Sequence, residues 1–95
     1  MKFKVIVTEP AEKNLFQIES SARLMILQKL KILETSPFPT IKSIRKIKAS
    51  GRTSLFRLRI GNYRAIFHVS QAVVYVLAVI DRKDLDKAIQ NLVQQ

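Results

Sequence analysis

Residues 55–67 read LFRLRIGNYRAIF, a run of strand-forming apolar side chains with three arginines threaded through it. Gly61 and Asn62 interrupt the run with the composition of a two-residue primed hairpin turn, type I′ or II′. If that is the loop, Ile60 faces Tyr63, Arg59 faces Arg64, Leu58 faces Ala65, Arg57 faces Ile66 and Phe56 faces Phe67. Side-chain alternation then divides the hairpin. Phe56, Leu58, Ile60, Tyr63, Ala65 and Phe67 share one face, whereas Arg57, Arg59 and Arg64 share the other. Like charges directly across a ladder cost on the order of a few tenths to 1 kcal/mol, so stability alone does not select the Arg59–Arg64 pair. Three guanidinium groups on one face suit an anion, because each offers a rigid fork of donors and never loses its charge.

Around this hairpin the other elements fall into place. KFKVIV at 2–7 is short and β-branched, which predicts a strand. Thr8 is placed to cap a following helix, with Pro10 in its first turn, Glu9 and Glu12 at its positive end, and Ala11, Leu15 and Ile18 along one face. Ser20 and Ser21 read as an N-cap pair for a second helix, whose Ile26, Leu27, Leu30 and Leu33 recur at helical spacing while Arg23, Lys29, Lys31 and Glu34 face water. Ser36-Pro37 and Pro39 end it. The segment 40–54 reads as basic and irregular, with Gly51 near its tip; strands follow at about 55–60, 63–69 and 73–80. Leu85, Ala88, Ile89 and Leu92 form the apolar stripe of a closing helix, which packs on its own sheet or is displaced by a partner.

The expected architecture is therefore α+β, in the order β-α-α-β-β-β-α. A small, mostly antiparallel sheet carries an N-terminal helical hairpin on one face and a short C-terminal helix, leaving the other face without a full second layer. A chain of 95 residues, 47 % apolar, suits a single domain over 1–95. The longest apolar run, AVVYVLAVI at 72–80, is strand-length, and MKFKVIV turns to Glu-Pro before any signal-peptide core develops, so a soluble cytoplasmic protein without membrane attachment is expected.

Charge narrows the function. The formal net charge is +10, and its placement is uneven. No acidic residue lies between Thr35 and Ile80, while Lys42, Arg45, Lys46, Lys48, Arg52, Arg57, Arg59 and Arg64 all fall there. A phosphate-rich or acidic partner is the expectation for such a one-sign segment. With no cysteine, one histidine and seven carboxylates, the chain has no plausible zinc set and little for a two-metal nuclease. Gly51 and Gly61 are its only glycines, too few for a phosphate-cradling loop, so neither metal nor cofactor is expected. His68 falls on the arginine face at the far end of the hairpin, as an acid or base near neutral pH or as a packing residue.

LFRLRIGNYRAIF, then VVYVLAVI and DRKDLDKAI, resembles the RelE/ParE superfamily of toxins from type II toxin-antitoxin systems, RelE-like members above all. Those toxins commonly carry Tyr-Arg-Leu-Arg, Gly-Asp-Tyr-Arg, a strand ending in Gly-His-Arg and a nearby tyrosine. The resemblance implies a small α+β fold, an acidic antitoxin protein as partner and, in RelE-like members, cleavage of messenger RNA in the ribosomal A site by metal-independent 2′-hydroxyl attack. It also implies that Arg57, Arg59 and Arg64 hold the scissile phosphate and stabilise its transition state, with Arg82 on the leaving group or a flanking phosphate. Arg45, Lys46, Lys48, Arg52 and Lys83 become RNA-binding candidates.

Two positions depart from the pattern: Asp81 stands for the histidine, and Asp86 for the tyrosine. Asp86 is a candidate general base if it reaches the 2′-hydroxyl, or else a cap or dipole partner beside Asp84. The alternative implied by the superfamily is a ParE-like toxin that acts by binding DNA gyrase, or a degenerate RNA-binding relative.

Overall fold

A computed structural model describes residues 2–50 and 53–93. The chain runs β1 (Lys4–Val7), α1 (Glu9–Phe16), α2 (Ser20–Leu30), a 3-10 turn (Lys31–Glu34), β2 (Ile44–Ser50), β3 (Thr53–Ile60), β4 (Tyr63–Ser70), β5 (Val73–Asp81), a 3-10 turn (Arg82–Asp84) and α3 (Leu85–Val93). Five strands form one sheet in the order β1-β5-β4-β3-β2, with β1 parallel to β5 and every other pair antiparallel. The α+β architecture is the expected one, with one strand more. Residues 44–50, read as irregular, are β2. Its basic side chains are poor strand formers, and a bulge at Ile47 breaks the alternation that would have revealed it. A lysine-rich, bulged strand is what an exposed sheet edge favours, and β2 is an edge.

One face of the sheet meets the helical hairpin. Leu58, Ile60, Ala65, Phe67, Val74, Val76 and Val79 join Ala11, Leu15, Ile26, Leu30, Leu33 and Ile44 in a single buried cluster, with Phe56 and Tyr63 packed against it. A bulge at Leu77, between the Phe67–Val76 and Ile66–Ala78 pairs, re-phases β5 so that Val74, Val76 and Val79 all reach this core. Leu55 and Ile66 are buried on the opposite face, outside that cluster. The second face is thus not bare. α3 packs against β5 with Leu85, Ala88, Ile89 and Leu92 half-buried, so its apolar stripe lies on its own sheet.

Local chemistry at the helix ends differs from expectation in three places. Thr8 occupies the N-cap position of α1 but makes no capping bond; its hydroxyl donates to the Val76 carbonyl at 2.7 Å, closing the end of the β1–β5 ladder. Beyond that point α1 takes over from β1, since the Asn14 side-chain oxygen accepts from the Val79 N–H at 3.0 Å. The N-cap of α2 is Glu19 rather than Ser20 or Ser21: its carboxylate accepts from the Ser21 N–H at 3.2 Å and from the Ser21 hydroxyl. A carboxylate has acceptor capacity for both and carries the charge that suits a helix N-terminus. Those bonds also hold the Glu19 carboxyl below its ordinary pKa.

Arg23, expected to face water, closes the other end of α1. Its guanidinium donates to the carbonyls of Leu15 (2.9 Å), Ile18 (2.9 Å) and Phe16 (3.4 Å) and lies 5.6 Å from the centre of the Phe16 ring. The carbonyls left open where α1 stops are thereby satisfied by a cation, which the negative helix end favours. Arg23→Ala is expected to lower stability by about 2 kcal/mol, and Arg23→Lys by roughly half that because an ammonium cannot span all three carbonyls. Urea denaturation of both variants checks the order.

The two tight hairpins use different backbones. Gly61 alone of its pair has a positive φ, +56°, the type II′ pattern, and the registers Ile60–Tyr63 and Arg59–Arg64 match expectation. Between β4 and β5, Gln71 (φ +50°) and Ala72 (φ +66°) both occupy the left-handed region, which costs roughly 1–2 kcal/mol for a residue with a Cβ. Replacing Ala72 with glycine is expected to raise the melting temperature by a few degrees, about 0.5–1 kcal/mol after glycine's own entropic cost.

Candidate functional site: the arginine face

The face opposite the helical hairpin carries cations in two rows. Arg59 on β3 stands directly across from Arg64 on β4. Two residues back along β3, Arg57 stands directly across from Arg45 on β2. Both are like-charge cross-strand pairs. Among the described residues, the one ion pair is Lys13–Glu9 on α1, at 3.6 Å, and none of these arginines has a carboxylate within ion-pair distance.

Each side chain is held differently. Arg64 is half-buried, and its Nη1 donates to the carbonyls of Gly61 and Tyr63, both at 2.9 Å, which fixes the guanidinium against the hairpin tip. Arg57 is half-buried, and its Nη1 is fully covered with no hydrogen-bond acceptor. Arg59 and Arg45 are exposed. Burial, then the charges of Arg64, Arg45 and Arg59, push the Arg57 guanidinium below its ordinary pKa. Burial, Arg59 and Arg82 do the same to Arg64, offset in part by Asp81. Both stay cationic at physiological pH. The field these groups exert on one another is offset only in part, by Asp81.

Arg82 belongs beside this cluster. Its backbone N–H donates to the Asn62 carbonyl at 2.8 Å, tying the turn after β5 to the β3–β4 tip, and its charge acts on Arg64. Asp81, given no role in the sequence, is the carboxylate that acts on Arg64, while its Oδ1 accepts from the Lys83 N–H at 3.1 Å and caps the 3-10 turn. Asp86 is exposed in the first turn of α3. Lys83 is exposed beside Arg82.

The basic segment divides. Arg45 joins the arginine face through its register with Arg57, whereas Lys46 pairs with Phe56 and so lies on the helix side of the sheet. Lys48 enters by its backbone, opposite Leu55. Arg52, with Gly51, lies outside the described residues. His68 is on the arginine face but stacks on Tyr75, ring centres 5.0 Å apart and 17° from parallel, as a packing residue. A cleft of about 460 Å³ opens elsewhere, between the end of α1 and the end of β5, lined by Asn14, Glu19, Tyr63, Asp81 and Asp84 among others. Its carboxylates have the wrong sign for phosphate.

The family model for the ParE toxin of type II toxin-antitoxin systems, parDE, matches residues 5–93. The chain belongs to this toxin family. Among solved structures, the toxin is similar to the archaeal RelE-RelB complex from Pyrococcus horikoshii OT3, with 28 % identity, a TM-score of 0.72, and 86 % of this chain and 97 % of that one covered. It also shares its fold with the RelB-RelE antitoxin-toxin complex from Methanococcus jannaschii, at 23 % identity and TM-score 0.67 over 87 % of this chain and 96 % of that one. A mutant of the E. coli toxin RelE with two arginines replaced by alanine, in the free state, gives 23 % identity and TM-score 0.66 over 96 % of this chain and 98 % of that one. No curated protein matches. The toxin is thus of the RelE/ParE kind in sequence and fold, as its central motif implied. Among its described residues no helix is long and apolar enough to cross a membrane.

Proposed function

We propose that this toxin is a metal-independent endoribonuclease that cleaves messenger RNA in the ribosomal A site. The observation that carries the reading is the arginine face, where two like-charge pairs stand in register and, among the described residues, no carboxylate lies within ion-pair distance of them. The reaction matches that equipment. The 2′-oxygen of one ribose attacks the adjacent phosphorus, a cyclic phosphate forms, the bond to the 5′-oxygen breaks, and the hydroxyl proton ends on that oxygen. Arg59 and Arg64 hold the phosphate and stabilise the charge that grows on its oxygens; Arg57 adds its positive charge from the next row; Arg82 offsets the charge that develops on the leaving oxygen. Asp86, exposed in the first turn of α3, is a helix-start residue in this scheme rather than the base.

An acidic antitoxin is the inhibitory partner, as electrostatic complementarity to the arginine face favours. The solved relatives from Pyrococcus horikoshii and Methanococcus jannaschii are complexes with RelB. Phe16 and Leu24, 68 % and 63 % exposed on the helical hairpin, add the kind of apolar surface a protein partner covers.

Two observations favour a second reading: the matching family model is that of ParE, and Asp86 stands where RelE-like members commonly carry a tyrosine. In that reading the toxin binds DNA gyrase. Codon-resolved mapping of message ends after brief expression separates the two. Cuts within codons support the nuclease, whereas intact messages accompanied by DNA breaks move the toxin to gyrase.

A further inference from the structure

Arg45 lies on the strand that was hardest to see in the sequence, and its register gives it a partner that no motif supplies. Arg45 and Arg57 form one row across β2–β3; Arg59 and Arg64 form the next across β3–β4. Along β3 the two rows are two residues apart, about 7 Å. That is close to the step between consecutive phosphates of an extended single strand. Across the sheet, Arg45 and Arg64 are separated by two strand spacings, roughly 10 Å. The two rows are thus spaced to take one phosphate each, two neighbouring anions of a single strand.

We propose that Arg45 and Arg57 form a second phosphate subsite, which holds the phosphate next to the scissile one so that the RNA strand runs diagonally from the β3–β4 tip toward the β2 edge. Half-buried Arg57 supplies the inner cation of this row, with no carboxylate within ion-pair distance among the described residues. Exposed Arg45 closes it from the edge strand. β2 has no further neighbour in the sheet, which leaves the path off the face unobstructed by backbone pairing. Arg45 is a positioning residue here: it fixes the strand's direction and acts on the scissile bond through the RNA it holds. This subsite rests on the reading of the arginine face as an RNA-cleaving site.

The test uses ribosomes programmed with a message in which one linkage at a time is a neutral methylphosphonate, and single-turnover cleavage is followed for the parent toxin, Arg45→Ala and Arg45→Lys. On the all-phosphate message Arg45→Ala is expected to cleave about 10-fold or more slowly, with Arg45→Lys between it and the parent. On the message whose linkage adjacent to the cut is neutral, the parent slows to the same degree and Arg45→Ala adds nothing. With the neutral linkage farther away, the Arg45→Ala defect returns in full. Unchanged melting temperatures for both variants separate this from loss of folding. Equal Arg45→Ala defects on every message, or no defect on any, would overturn the subsite while leaving the nuclease reading intact. If the parent cuts no message at all, the nuclease reading fails and the subsite falls with it.

Discussion

Arg64→Ala is expected to slow cleavage of a ribosome-bound message by two to three orders of magnitude while changing folding stability by no more than about 1 kcal/mol. The two effects separate because the side chain's contacts do. Its hydrogen bonds to the Gly61 and Tyr63 carbonyls sit at a partly exposed hairpin tip, where each contributes on the order of 1 kcal/mol or less. Removing it also relieves repulsion from Arg59 directly across the ladder and from Arg82 beyond the tip, which offsets part of that loss. In a transition state with extra charge on phosphate, by contrast, a pre-oriented guanidinium has no replacement. Arg59→Ala, which gives up no hydrogen bond within the chain, is expected to be at least as stable as the parent and still slow. Thermal melts beside single-turnover cleavage decide the matter. A melting temperature that collapses with activity would mark Arg64 as a structural residue, and undiminished cleavage would remove the arginine face from the chemistry.

Phe67→Ala is expected to be the most damaging single change to the fold, by about 3–5 kcal/mol. Phe67 has no exposed surface, lies at the centre of the helix-side core and stacks on Phe56 with ring centres 5.6 Å apart and planes 23° apart. Deleting its ring removes both the transfer free energy of the apolar area and the contacts of its neighbours, in a core that backbone ladders on both sides prevent from closing. Domains of this size are stable by roughly 5–15 kcal/mol, so the variant stands near the threshold of unfolding at 37 °C. Phe56→Ala, which truncates the half-buried partner, should cost less. Urea midpoints at unchanged slope test both. A loss of under about 1.5 kcal/mol at Phe67 would contradict the register that places it in this core.

The residues of LFRLRIGNYRAIF were legible as they stood, because a two-residue turn and strict alternation leave one pairing and one division of faces. Every partner named from that turn, from Phe56–Phe67 to Ile60–Tyr63, is the partner in the sheet. The helices were legible as elements but not at their ends. Choosing Glu19 over Ser20 or Ser21 as the cap depends on which side chain finds the open N–H, and Arg23 found its three carbonyls only once α2 had folded back on α1.

What local pattern and charge determined, then, was the hairpin, its arginine face, the α+β class and the family motif that runs through them. Those rest on interactions between residues close in sequence, or on composition, and both survive without a third dimension. Tertiary structure decided the rest. β2 exists as a strand because β3 offers a ladder to an otherwise unpromising basic segment, and the register of that ladder sets Arg45 across from Arg57 on the arginine face and Lys46 across from Phe56 on the other. Arg82 is tied beside the arginine face because the turn after β5 bonds to Asn62. A cation's neighbours across a sheet are set by register between distant segments, and long-range register is what a one-dimensional pattern interrupted by a bulge does not encode.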